Sequence, residues 1–250
     1  MALIGLAVMI PLFSTLPTRA ELMHGPPDSP ISWQETSEGR PATFSLPSAL
    51  GLTSPAVVKF AAWRDDTPFG GKQDGKAWIA RFESVNVQTP DSTVRANVDV
   101  TLAISASNGE LLCAFTDPAP VWAKANWPSE IKPQQVGESL KGRVALAPGN
   151  QGKLRSTPSE VLGALWKFTA AADPRTAGQV ILRPRFARFP KEVDVDGNDR
   201  TRPPMNVWVA EVLGTVAMQR NTHGLELIYT THIAVLRDGD LQYLLGTMLP

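Results

Sequence analysis

Residues 94–105 constrain the fold more than any other part of the chain. Apolar Val94, Ala96, Val98, Val100, Leu102 and Ile104 alternate with polar or small Arg95, Asn97, Asp99, Thr101 and Ser105. That is the period of a strand with one face in a core and the other open to water. Asn108-Gly109 follows, a pair whose tolerance of positive φ makes a tight hairpin turn, and 110–116 returns as the next strand. Upstream, Trp78, Ala80 and Phe82 alternate after a Gly-rich loop over 69–76. A sheet with one dry face needs a cover, and the segment before it is read as a helix. Thr53 or Ser54 can cap, Pro55 fits the first turn, and Val57, Val58, Phe60, Ala61 and Trp63 supply the apolar stripe. A helix ahead of antiparallel strands buries that stripe on one face, which gives a two-layer α+β unit.

The plan recurs. Ser156-Thr157-Pro158 opens a second helix carrying Val161, Leu162, Leu165 and Trp166, and strands are expected over 180–189, 207–218 and 225–236. Asp238-Gly239 then makes the matching turn before a last strand over 241–248. Trp63 aligns with Trp166, Trp78 with Trp208, Gly109 with Gly239 and Leu111 with Leu241. The long strands, however, match only after a one-residue shift, which would exchange their buried and open faces unless a bulge or longer turn absorbs it. The expected fold class is therefore α+β: two tandem two-layer modules, each a helix packed on a curved antiparallel sheet. They occupy 53–118 and 154–250, preceded by a Pro/Ser-rich arm over 21–52 and joined by a linker over 119–153.

A helix, then curled antiparallel strands, then the run Ile104-Ser105-Ala106-Ser107-Asn108-Gly109-Glu110-Leu111-Leu112 resembles the PepSY and cystatin-like families. Ser105 stands where PepSY-type repeats usually carry Asp before the turn, and the second copy keeps only Arg237-Asp238-Gly239-Asp240-Leu241. The cystatin Gln-x-Val-x-Gly loop is echoed by Gln134-Gln135-Val136-Gly137, with its glycine displaced by one position. The resemblance implies an extracytoplasmic binding or inhibitory module and identifies no target.

Charge and targeting narrow the setting. Lys+Arg and Asp+Glu balance at 24 each, so no overall field draws the chain to nucleic acid. Residues 2–16 are apolar, and Thr18 and Ala20 set small residues at minus three and minus one of a cut before Glu21. Residues 1–20 thus read as a signal peptide, giving a periplasmic or extracellular protein with no stable membrane span after its removal. The single cysteine, Cys113, excludes an internal disulfide and lies in an apolar run that reads as core.

Catalytic signals are sparse. His24, His223 and His232 have no metal-site spacing, and His232 reads as lying on the more polar face of its strand. No nucleophile elbow or dinucleotide fingerprint occurs, and Phe69-Gly70-Gly71-Lys72 precedes a strand, not the helix that a phosphate cradle needs. Asp194, Asp196, Asn198 and Asp199 offer oxygens of the kind calcium takes. Their glycine falls fourth in the run instead of sixth, so a plain turn is the expected role and calcium the alternative. No cofactor is otherwise expected. Candidate binding residues are Trp122 and Trp127 in the linker, and Arg183, Arg185 and Arg188, whose alternation reads as the wet face of a strand. The expected function is a non-enzymatic exported module binding a peptide, a polymer or a partner protein of the cell envelope. The alternatives are a structural or assembly protein of the envelope, or a hydrolase with carboxylate chemistry.

Overall fold

The structure, a computed structural model, describes residues 31–67, 73–91, 95–116, 140–168, 179–193, 195–220 and 226–249. Its strands are β1 (Ile31–Glu35), β2 (Val57–Asp65), β3 (Gln73–Gln88), β4 (Arg95–Ser105), β5 (Leu111–Thr116), β6 (Ala145–Pro148), β7 (Val180–Arg188), β8 (Met205–Arg220), β9 (Glu226–Arg237) and β10 (Tyr243–Leu249). All pair antiparallel in one ten-stranded sheet ordered β1-β2-β3-β4-β5-β7-β8-β9-β10, with β6 added beside β7. One α-helix, α1 (Pro158–Phe168), and a short 3₁₀ turn (Ser48–Leu50) complete the described elements.

The first expected helix is strand β2. Position three after Thr53 is Ala56 and after Ser54 is Val57, so no Glu or Gln completes a capping box, and Val57-Val58 favours extended backbone. Ser54 itself takes φ 58, outside the range of a helix cap. In α1 the box is complete. Thr157 N–H donates to Glu160 Oε2 at 2.7 Å, and Glu160 N–H donates to Thr157 Oγ1 at 3.3 Å. Pro158 fills the first turn and Lys167 the last. The molecule is thus predominantly β, one antiparallel sheet in place of two α+β modules. The helix-on-sheet plan of the PepSY and cystatin-like families is not what this chain forms.

The hydrogen-bond register nevertheless repeats. β1 pairs the C-terminal half of β2 (Ile31 with Asp65 to Glu35 with Ala61), as β6 pairs that of β7 (Ala145 with Arg188 to Pro148 with Arg185). The β3–β4 pairing slips between Phe82 and Val85, and the β8–β9 pairing between Leu213 and Ala217. On the next strand pair, Ile104 faces Leu111 and Ala103 faces Cys113, just as Leu236 faces Tyr243 and Val235 faces Leu245. The turns agree atom for atom: Ser105 N–H donates to Glu110 O and Gly109 N–H to Ser105 O, while Arg237 N–H donates to Gln242 O and Leu241 N–H to Arg237 O. Gly109 therefore corresponds to Leu241, not Gly239, and Leu241 accepts φ 55 where Gly109 has φ 73. The mismatch in the sequence alignment is resolved by this. Trp78 faces Ile104, but Trp208 faces Leu236, two residues farther along its hairpin. An even offset leaves every side chain on its own face.

Both faces of the sheet are dry. On one, Phe60, Trp78, Leu102, Leu182 and Trp208 pack with Val161 and Leu165 of α1. The other is lined at its centre by Ala61, Ala77, Ala103 and Cys113, and it is concave. Trp33 of β1 and Phe115 of β5 have ring centroids 5.5 Å apart although three strands separate them. The small side chains allow that curl, because larger ones would collide on the inner surface. Residues 140–148, within the segment read as a linker, supply β6 and the buried Leu140 and Val144.

Candidate functional site

The concave face carries a buried charge cluster. Asp65 ends β2 in phase with Ala61 and Trp63, Arg183 and Arg185 lie in phase on β7, and Glu211 follows Val207 and Val209 on β8. Arg183 donates through Nε to Asp65 Oδ2 at 2.8 Å and through Nη1 to Glu211 Oε2 at 2.9 Å. Arg185 Nη2 lies 3.7 Å from Asp65 Oδ2, and its Nη1 donates to Pro184 O at 2.9 Å. Among the described residues the cluster sets two cations against two anions. Arg183 is held above its ordinary range, as Asp65 and then Glu211 outweigh the cost of burial. For Arg185, burial and then Arg183 prevail and bring it down to about 10, so it is still charged at neutral pH. Burial, reinforced by Asp65, pushes the Cys113 thiol far above its usual range and leaves it protonated and inert.

This cluster stands where a wet strand face was expected for Arg183 and Arg185. Both are wholly buried, and only Arg188 of the three is exposed. Along a flat sheet β2 and β7 would lie about 19 Å apart, farther than Arg and Asp can reach, and the curl brings them together. Sequence reasoning passed over Asp65 and Glu211. Their signal, an acid in phase with apolar residues of a strand, is readable only once β2 is assigned as a strand.

The surface offers a different site. A cleft of about 1000 Å³ opens between the 151–155 segment, the start of β8 and the β9–β10 turn. Its architecture depends on Asp238. Arg155 N–H donates to Asp238 Oδ2 at 2.9 Å, Ser156 N–H to Oδ1 at 2.9 Å, and the indole Nε1 of Trp208 to Oδ1 at 3.2 Å. Gly239 N–H returns a bond to Ser156 Oγ at 2.8 Å. Beside this clamp the Asn206 amide exchanges two bonds of 2.8 Å with the backbone of Gln151. One aspartate and one asparagine thus rigidly fix the cleft wall.

The lining is amphipathic. Leu154, Phe186 and Met205 give it apolar surface, and Lys153, Arg155 and Arg237 give it positive charge. Arg237 is engaged by Asp240, whose carboxyl the hydrogen bonds from Arg237 hold down at about 2. Asp238, the one acid of the lining, is taken up by its structural bonds. The side-chain cations of Lys153 and Arg155 have no acidic partner among the described residues. The described lining holds no serine, cysteine or histidine, so the arrangement can retain an anion but presents no nucleophile–base pair.

Of the other residues singled out in the sequence, Asp196, Asn198 and Asp199 lie on an exposed turn, where Asp199 Oδ1 accepts from Thr201 N–H at 2.8 Å. No metal-binding group of acids, histidines and cysteine occurs among the described residues. Trp122, Trp127 and Asp194, the expected signal peptide over 1–20 and the Gln134–Gly137 echo lie outside the described residues. His232 is not on a polar face. It shares the α1-side face with Ala234 and Leu236, buried, with Nδ1 unpartnered and Nε2 3.5 Å from Tyr243 Oη. No protein family, curated protein or solved structure matches the chain.

Proposed function

We propose that the chain is an exported, non-enzymatic binding protein whose ligand is an extended acidic peptide or polymer seated in the cleft below Lys153 and Arg155. The observation that carries this reading is the pair of cations without acidic partners above an apolar floor, on a wall fixed in advance by Asp238 and Asn206. A fixed wall spares the ligand the cost of ordering it. Export rests on the apolar run over 2–16 with Thr18 and Ala20, and N-terminal sequencing of the exported form is expected to begin at Glu21.

Calorimetric titration with poly-glutamate and poly-lysine, at low and high salt, tests the binding reading. Poly-glutamate should bind, poly-lysine should not, and salt should weaken the complex. Each exposed ion contact contributes of order 0.5–1 kcal/mol, so K153E/R155E should weaken binding about tenfold or more. Equal binding of both polymers, or a K153E/R155E variant that binds like the parent, rejects the cleft as the site.

A further inference from the structure

We infer that the outer edge of β10 and the first residues of β2 are complementary ends, by which one copy of this chain extends its sheet head to tail with a second copy. The inference is independent of the cleft and rests on the joint between the two halves of the sheet. There, β5 pairs with the start of β7, Ala114 facing Leu182 and Phe115 facing Ile181, while β6 occupies only the far half of the same edge. The repeat in register makes β10 the counterpart of β5, with Gly246 in the place of Ala114 and Thr247 in that of Phe115. It makes β2 the counterpart of β7. Ile181 faces Glu211 as Val57 faces Arg81, so Val57 and Val58 stand where Ile181 and Leu182 stand.

Both counterpart edges are open among the described residues. β10 ends the sheet, and β1 covers β2 only from Ala61 to Asp65, with one further bond from Thr36 N–H to Phe60 O. Residues two apart on a strand point their backbone groups to the same side, so Val58, like Phe60, faces the β1 side and away from β3. On β10 the carbonyls of Gly246 and Leu244 accept from Arg143 Nη1 and Arg202 Nη1, each at 3.3 Å, in place of a neighbouring strand. Gly246 thus presents its backbone outward, as Ala114 presents its own to β7. The fit that joins the halves inside one molecule is available between molecules, Gly246 and Thr247 of one copy against Val58 and Val57 of the next. Such a contact is heterologous, so it builds open chains or rings, not an isologous dimer. Arg143 and Arg202 shield the free end until the strand displaces them.

The test is sedimentation of the full chain across concentrations up to millimolar, comparing the parent, R143A/R202A, and V58P placed in each. Proline at Val58 removes an outward N–H on an edge and alters a half-buried side chain at the margin of the core, so circular dichroism and a retained cooperative melting transition verify that each variant is folded. The expected result is association at least tenfold stronger in R143A/R202A than in the parent, and abolished by V58P in both backgrounds. A parent and R143A/R202A that both remain monomeric overturn the inference. So does association that V58P leaves intact, which would place the contact at another edge.

Discussion

Asp65 faces two arginines that come from the other half of the chain, at a point no solvent reaches. Its carboxylate is bonded by Arg183 and lies beside Arg185, and both cations are wholly buried. Asp65→Asn keeps the shape and removes the charge, taking from both cations the anion they share. Such a break in a buried ion network costs about 3–5 kcal/mol, and urea unfolding at neutral pH measures it. A loss below about 1 kcal/mol would mean that water reaches the cluster. His232 makes a second residue-scale prediction. Burial lowers its pKa from 6.5, so the unfolded chain takes up a proton that the folded one resists. Stability is then full above pH 6.5 and declines as pH falls through the lower folded value. His232→Phe should flatten that part of the urea midpoint against pH, and an unchanged slope would assign it to other groups.

At the scale of elements, α1 and β2 show which local signals decide. Both begin with a Ser or Thr before Pro and continue with apolar residues ending in Trp, and sequence reading assigned both as helices. The reciprocal Thr157–Glu160 box and the absence of β-branched residues at 158–160 make one a helix, while Val57-Val58 without a box makes the other a strand. The seating of α1 is equally specific. A Cβ on Gly163 would stand 1.9 Å from Gln88 O at the end of β3, so only glycine lets the helix lie this close. Helix propensity alone predicts that Gly163→Ala stabilises by about 1 kcal/mol. The packing predicts the opposite sign, a loss of about 2–3 kcal/mol as the helix is pushed off the sheet. Thermal unfolding of G163A decides between them, and a rise in melting temperature would refute the close seating.

On the scale of the whole molecule, the two halves share one sheet across β5 and β7 and one buried ion network across β2, β7 and β8. Neither half keeps its interior dry alone, so the chain should unfold in a single transition. Calorimetric and van't Hoff enthalpies should agree, and tryptophan fluorescence and far-UV circular dichroism should coincide. Two separate transitions would show that the halves are independent domains. What the sequence by itself determined was local. The alternation of β4, the turns at Asn108-Gly109 and Asp238-Gly239, and the start of α1 follow from side chains a few residues apart. The tertiary structure alone decided how the strands join, which face curls inward, that Asp65 meets Arg183, and that Asp238 clamps Arg155 and Ser156. Each of these depends on groups brought together from distant parts of the chain. Periodicity marks one side of β4 as dry, but its other side, with Thr101 and Ala103, is buried as well, and that is fixed only when the sheet curls and closes over it.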